Sequence, residues 1–149
     1  MSRLKQLYES TILDHNRNPR NFRTMSPCTH SSHGKNPLCG DDYFVFVNVV
    51  DGFIEDISFH GHGCAISKSS GSLMTAHLKG KSVEDVLKYK ELFIQLVSQE
   101  MSDEEKRLLG KLKVFEGVKE YPVRVKCAAL VWRALEDALV VNKGEISTE

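Results

Sequence analysis

Three cysteines and one aspartate are the residues of this chain best suited to chemistry. They are Cys39 and Asp41 in Pro37-Leu38-Cys39-Gly40-Asp41, Cys64 in Gly61-His62-Gly63-Cys64, and Cys127 in Arg124-Val125-Lys126-Cys127-Ala128. Thiolates and a carboxylate form the kind of four-donor set that suits a tetrahedral metal, zinc and iron alike, and a thiolate is also the nucleophile of sulfur exchange. The expected chemistry is therefore metal and sulfur handling at Cys39, Asp41, Cys64 and Cys127. Gly40 lets Cys39 and Asp41 turn back towards one point, and Gly63 lets the backbone come close before Cys64. A zinc ion on three thiolates and a carboxylate leaves roughly two negative charges in excess. Arg124 and Lys126, flanking Cys127, are the natural counter-charges.

These residues need elements to position them. Leu4, Leu7, Tyr8, Thr11 and Ile12 recur at helical spacing and Asn18-Pro19 ends the pattern, so Ser2 to about His15 reads as an amphipathic helix. Tyr43–Val50 and Phe53–His60 are β-branched and aromatic runs joined by Asp51-Gly52, a tight hairpin. A third strand must pair with them, and Thr29–Gly34 is the nearest candidate. After the hairpin, Ile66, Leu73, Met74 and Leu78 take helical spacing, which implies a strand-to-helix turn at Cys64. Ser82 with Asp85 and Ser102 with Glu105 read as helix starts. Pro122 opens a last helix to about Val141, with Cys127 in its first turns. A helix start favours thiolate over thiol, so Cys64 and Cys127 are both expected to gain from it.

Other polar residues carry blander expectations. Any one cysteine could simply be a small buried side chain. Cys28 sits in a polar loop and reads as a spare thiol. His60 and His62 form an H-x-H pair beside Cys64 that could reach a metal, but surface polar residues is the preferred reading. His30 and His33 are taken as loop residues, His15 and His77 as helix residues. Ser67, Ser69 and Ser70 have no base and orienting acid around them, and as small residues they allow close helix packing beneath the site. Trp132 and Phe115 are read as core or partner contacts.

The chain has 149 residues, enough for one domain over 1–149 with a single core. Lys plus Arg equals Asp plus Glu at 20 each, so net charge is zero and no block of like charge offers a face to nucleic acid or a membrane surface. The opening residues lack a signal peptide's apolar core, and no apolar stretch approaches the roughly 18 residues of a membrane span. A cytoplasmic protein is expected, with its four cysteines reduced and used for metal or catalysis rather than as disulfides.

At these residues the sequence resembles the U-type iron-sulfur cluster assembly family, the NifU, IscU and SufU proteins. The resemblance covers nearly the whole chain. It is carried by Asp14-His15, Asn18-Pro19-Arg20-Asn21, Asn36-Pro37-Leu38-Cys39-Gly40-Asp41, Gly63-Cys64-Ala65-Ile66-Ser67 with Ser69 and Ser70, and Tyr121-Pro122-Val123-Arg124-Val125-Lys126-Cys127 followed by Trp132. It implies an α+β fold of the SufE/NifU-like type, a three-stranded antiparallel sheet packed against about five helices, with the three cysteines and the aspartate as metal and cluster site. Lys126 stands where the scaffold branch has histidine, and the stretch between the second and third cysteines is longer; both features resemble SufU. That branch implies zinc on Cys39, Asp41, Cys64 and Cys127, and a sulfurtransferase-like role as acceptor and relay of persulfide sulfur from a SufS-type cysteine desulfurase. Cys39 would be the acceptor, freed from zinc when a desulfurase histidine takes its coordination site, and downstream assembly components or apo-proteins would receive the sulfur. Two alternatives stay open: a scaffold holding iron as a nascent [2Fe-2S] cluster on the same residues, and a structural zinc module used only for protein interaction.

Overall fold

Alternation along one segment sets the sheet. Tyr43, Val45 and Val47 are buried while Phe44, Phe46 and Asn48 face outwards, which makes β2 (Asp41–Val50) a strand with one covered face. The computed structural model describes residues 3–148, with side chains from Glu9 onward. Asp51 and Gly52 take φ angles of 52° and 82°, the tight turn expected there, and lead into β3 (Phe53–His62). The candidate third strand is confirmed as β1 (His30–Asn36), antiparallel to β2 with Asn36 opposite Asp41. His30 and His33 are thus strand residues, not loop residues. A short β4 (Glu145–Ser147) pairs parallel with the other edge of β1, so the sheet order is β3-β2-β1-β4. This fourth strand adds to the three expected; at 3 residues it is too short to leave a period in the sequence.

Helices cover the inner face. α1 (Arg3–Arg17) ends just before Asn18-Pro19, and the segment after it is tied to α2 (Ala65–Leu78). Arg20 N–H donates to Ser72 Oγ (2.8 Å), Asn21 Nδ2 to Thr75 Oγ1 (3.1 Å), and the buried His15 Nδ1 lies 2.7 Å from the same Ser72 Oγ. The expected start at Ser2 and the side chains of Leu4, Leu7 and Tyr8 lie outside the described residues, while Ile12 packs on the core. α3 (Val83–Ser98) and α4 (Asp103–Leu108) begin at Ser82 and Ser102, whose hydroxyls accept from the backbone N–H of Asp85 and Glu105, as the spacing predicts. A 3₁₀ segment, Gly110–Glu120, leads into α5 (Pro122–Glu136), and a π-helical turn over Asp137–Val141 prolongs it. Trp132 stacks on Phe93 with ring centroids 4.5 Å apart, and Phe115 meets Phe93 edge-on at 5.6 Å, so both expected aromatics are core residues. Among the described residues no helix is long and apolar enough to cross a membrane.

Candidate metal centre

The turn between β1 and β2 carries Cys39, Asp41 opens β2, Cys64 caps α2 and Cys127 lies in the second turn of α5. Residues from distant parts of the chain therefore meet at one end of the sheet. Ligand atoms of Cys39, Asp41 and Cys127 all lie within 4.8 Å of one another. Cys64 is not in that set, because its Sγ turns back to accept from Ser67 N–H at 3.5 Å. It stays close all the same: its own N–H donates to Asp41 Oδ1 at 2.9 Å, and Cys39 and Cys64 line one cleft with Tyr121, Val123 and Arg124.

Asp41 is buried and held by three donors. Oδ1 accepts from Cys64 N–H (2.9 Å) and Ser67 Oγ (2.9 Å), and Oδ2 from Asn36 Nδ2 (3.2 Å). Ser67 Oγ also lies 3.3 Å from the buried Tyr43 hydroxyl, whose pKa burial drives upward. Gly63 makes this cradle possible, since a Cβ there would stand 2.5 Å from Asp41 Oδ1 and 2.6 Å from Ser67 Oγ. Asn36, Ser67 and Tyr43 were not singled out as site residues from sequence. Ser67 carried a readable signal, because it is the third residue after the cap Cys64, where a first-turn N–H meets the cap side chain.

The structure places Cys64 at a helix start and Cys127 deeper in its helix. Cys64 is the N-cap, with an amide N–H aimed at its sulfur. Cys127 lies beyond the first turn of α5, where the amides are already used, and its Sγ contacts Val123 O at 3.5 Å. Burial, with Cys39 and Asp41 beside it, pushes the Cys127 thiol well above the ordinary cysteine range. Such a cluster of soft and anionic donors suits a bound cation, which supplies the charge that lets a buried thiol ionise. The residues fit a zinc-type ion on that ground.

Of the two expected counter-charges, Arg124 lines the cleft of Cys39 and Cys64. Lys126 lines a different cleft, with Arg133, Glu136 and Ile146. Cys28 is a half-buried free thiol, His60 lies on the outer sheet face with its ring 4.8 Å from Phe22, and His62 is exposed at the end of β3. None of the three joins the ligand set among the described residues.

The profile of the NifU-like N terminal domain family matches residues 7–128. The chain belongs to the NifU-like N-terminal domain family. A relative within it, the zinc-dependent sulfurtransferase SufU of Bacillus subtilis, is 35% identical over 141 residues, covering 95% of each chain. The iron-sulfur cluster assembly scaffold protein IscU of Thermotoga maritima is 37% identical over 139 residues, covering 91% of this chain and 94% of its own. Among solved structures, a putative iron-sulfur cluster assembly scaffold protein for the SUF system from Fervidobacterium islandicum superimposes with a TM-score of 0.81 at 31% identity, over 90% of this chain and 97% of that one. A NifU-like N-terminal protein from Brucella abortus, at 19% identity and a TM-score of 0.79, shares the fold.

Proposed function

We propose that this NifU-like domain, residues 1–149, works in iron-sulfur cluster assembly as a zinc-dependent acceptor and relay of persulfide sulfur from a cysteine desulfurase of the SufS type in the cytoplasm. The observation that carries the reading is the convergence of Cys39, Asp41 and Cys127 within 4.8 Å, with Cys64 one hydrogen bond from Asp41. Completing the four-donor set requires Cys64 Sγ to come closer to the other three ligand atoms. A bound zinc ion would hold the thiols deprotonated until a donor docks. Accessibility favours Cys39 as the acceptor, because it lies on a turn beside the 71%-exposed Leu38, whereas Cys127 is fully buried. Freed as thiolate, Cys39 attacks the outer sulfur of the donor's persulfide. A sulfur–sulfur bond forms at Cys39, the donor's own sulfur–sulfur bond breaks, and the donor cysteine leaves as thiolate, so no outside oxidant is needed. Arg124 at the cleft mouth balances the negative charge of this exchange.

Metal and acid-labile sulfide content of protein purified without air tests the reading. About one tightly held zinc per chain and no sulfide is the expected result. Iron with matching sulfide would favour the scaffold reading, which rests on the same donor set and on the scaffold names of relatives. With a desulfurase and cysteine added, the wild type should gain a persulfide and Cys39→Ser should not. Undiminished sulfur acceptance by Cys39→Ser rejects Cys39 as acceptor, and a wild type that keeps every thiol unmodified points to a structural zinc module.

A further inference from the structure

Asn36 is fully buried at the end of β1, and it touches three of the four expected ligand residues. Its backbone carbonyl accepts from Cys39 N–H at 3.2 Å. Its side-chain Nδ2 lies 3.2 Å from Asp41 Oδ2 and 3.6 Å from Cys127 Sγ, the longer reach suiting the larger sulfur atom. An amide nitrogen carries two hydrogens, so both acceptors can be served at once. The other end of the side chain tells against a purely structural role, since Asn36 Oδ1 is buried and finds no hydrogen-bond partner among the described residues. A buried unpaired carbonyl oxygen costs stability, so the folded state gains little from placing an amide here. What the amide does achieve is to join β2 and α5 at the atoms that would hold a metal. The two further donors of Asp41 are both on Oδ1, so Asn36 holds Oδ2, and the same amide fixes Cys127 Sγ where it lies directly beside Cys39 and Asp41.

We propose that Asn36 is a positioning residue of the metal site, a neutral two-pronged donor that sets the separation of Asp41 Oδ2 and Cys127 Sγ and anchors the Cys39 turn through its backbone. Neutrality matters. A lysine here would compete with the metal for the same two anionic atoms, and an aspartate would repel both. The proposal rests on the reading of Asp41 and Cys127 as ligands.

The test compares zinc release into excess chelator, and melting of the metal-free form, for the full chain and for Asn36→Leu. Leucine has similar volume and removes the unpaired oxygen together with the donor. Zinc should leave Asn36→Leu about 10–100-fold faster, the scale on which supporting residues act, while the metal-free variant melts no lower than metal-free wild type. Equal release rates overturn the proposal, and so does a metal-free variant that melts as far below wild type as the loaded one, which would mark a general packing role. A wild type that takes up no zinc overturns the ligand reading itself, an outcome distinct from both. Should Asn36→Leu not fold, exchange of the Asn36 side-chain amide protons in zinc-loaded wild type serves instead. Protection and a shift on loading are expected, and exchange as fast as a surface asparagine overturns the proposal.

Discussion

At the scale of single residues the site depends on close approach and on complete hydrogen bonding around Asp41. Gly63 can be nothing larger without displacing Asp41 Oδ1 or Ser67 Oγ, both of which a Cβ would meet at 2.6 Å or less. Gly63→Ala should therefore lose metal before it loses the fold: destabilisation of about 1–3 kcal/mol is expected from overpacking, with zinc content well below that of the wild type. Retention of full zinc by a folded Gly63→Ala protein would contradict the cradle. Ser67→Ala removes one of two donors to Asp41 Oδ1 and should weaken zinc about 10-fold in chelator competition, leaving secondary structure by circular dichroism unchanged. Ser67 is buried, as a small packing residue should be, and its hydroxyl also faces the carboxylate.

At the scale of elements, one buried carboxylate fixes the C-terminal strand. Asp137 accepts from Ser32 Oγ (2.7 Å), Lys143 N–H (3.0 Å) and Gly144 N–H (2.9 Å), and His33 N–H donates to Gly144 O at 2.9 Å, which seats β4 against β1. Burial alone would raise its pKa, but these donors outweigh burial and hold the carboxyl below its ordinary 3.8. A lowered folded-state pKa means that this stabilisation is fully present above the ordinary carboxylate range and is lost as pH falls through the native value. Asp137→Asn turns an N–H₂ group towards a donor and should cost about 1–3 kcal/mol near neutral pH. The gap between variant and wild type in denaturant melts should close in acid. A gap that persists unchanged below the native pKa would show that shape, not charge, is what matters. Thr148 N–H donates to Lys35 O at 3.0 Å, so this strap ends beside Asn36 and the metal-side end of the sheet.

At the scale of the molecule, the expected ligands come from the β1–β2 turn, the start of α2 and the body of α5, segments that only the folded core holds together. A metal bound there prefers the folded chain, so its removal should lower the melting temperature. With free metal at 100 times its dissociation constant the stabilisation is about 2.7 kcal/mol, which corresponds to about 5–10 °C for a chain of this size. Calorimetry before and after chelation checks this, and an unchanged melting temperature would mean that no metal binds the folded chain in preference to the unfolded one. Beneath the site, Ser70 Oγ donates to Ala128 O (2.7 Å) and accepts from Trp132 Nε1 (3.2 Å), binding α2 to α5 next to Cys127. Phe93, stacked on Trp132, belongs to the same layer, and Phe93→Ala should cost about 3–5 kcal/mol in chemical denaturation.

By itself the sequence determined what short-range physics decides. Asp51-Gly52 closed a hairpin, Ser82 and Ser102 capped helices, and Cys64 between Gly63 and a helical run became an N-cap, because each outcome depends on residues within a few positions. The donor types offered by Cys39, Asp41, Cys64 and Cys127 were also readable, since donor chemistry belongs to the residue. Tertiary structure alone decided which of them meet, that Cys64 Sγ turns to its own helix, and that Lys126 faces another cleft while Arg124 faces the site. It also decided that Asn36 reaches Cys127, a contact spanning 91 positions, and that three residues near the C-terminus extend the sheet. Contacts of that range are fixed by how helices and strands pack, and no local periodicity records them.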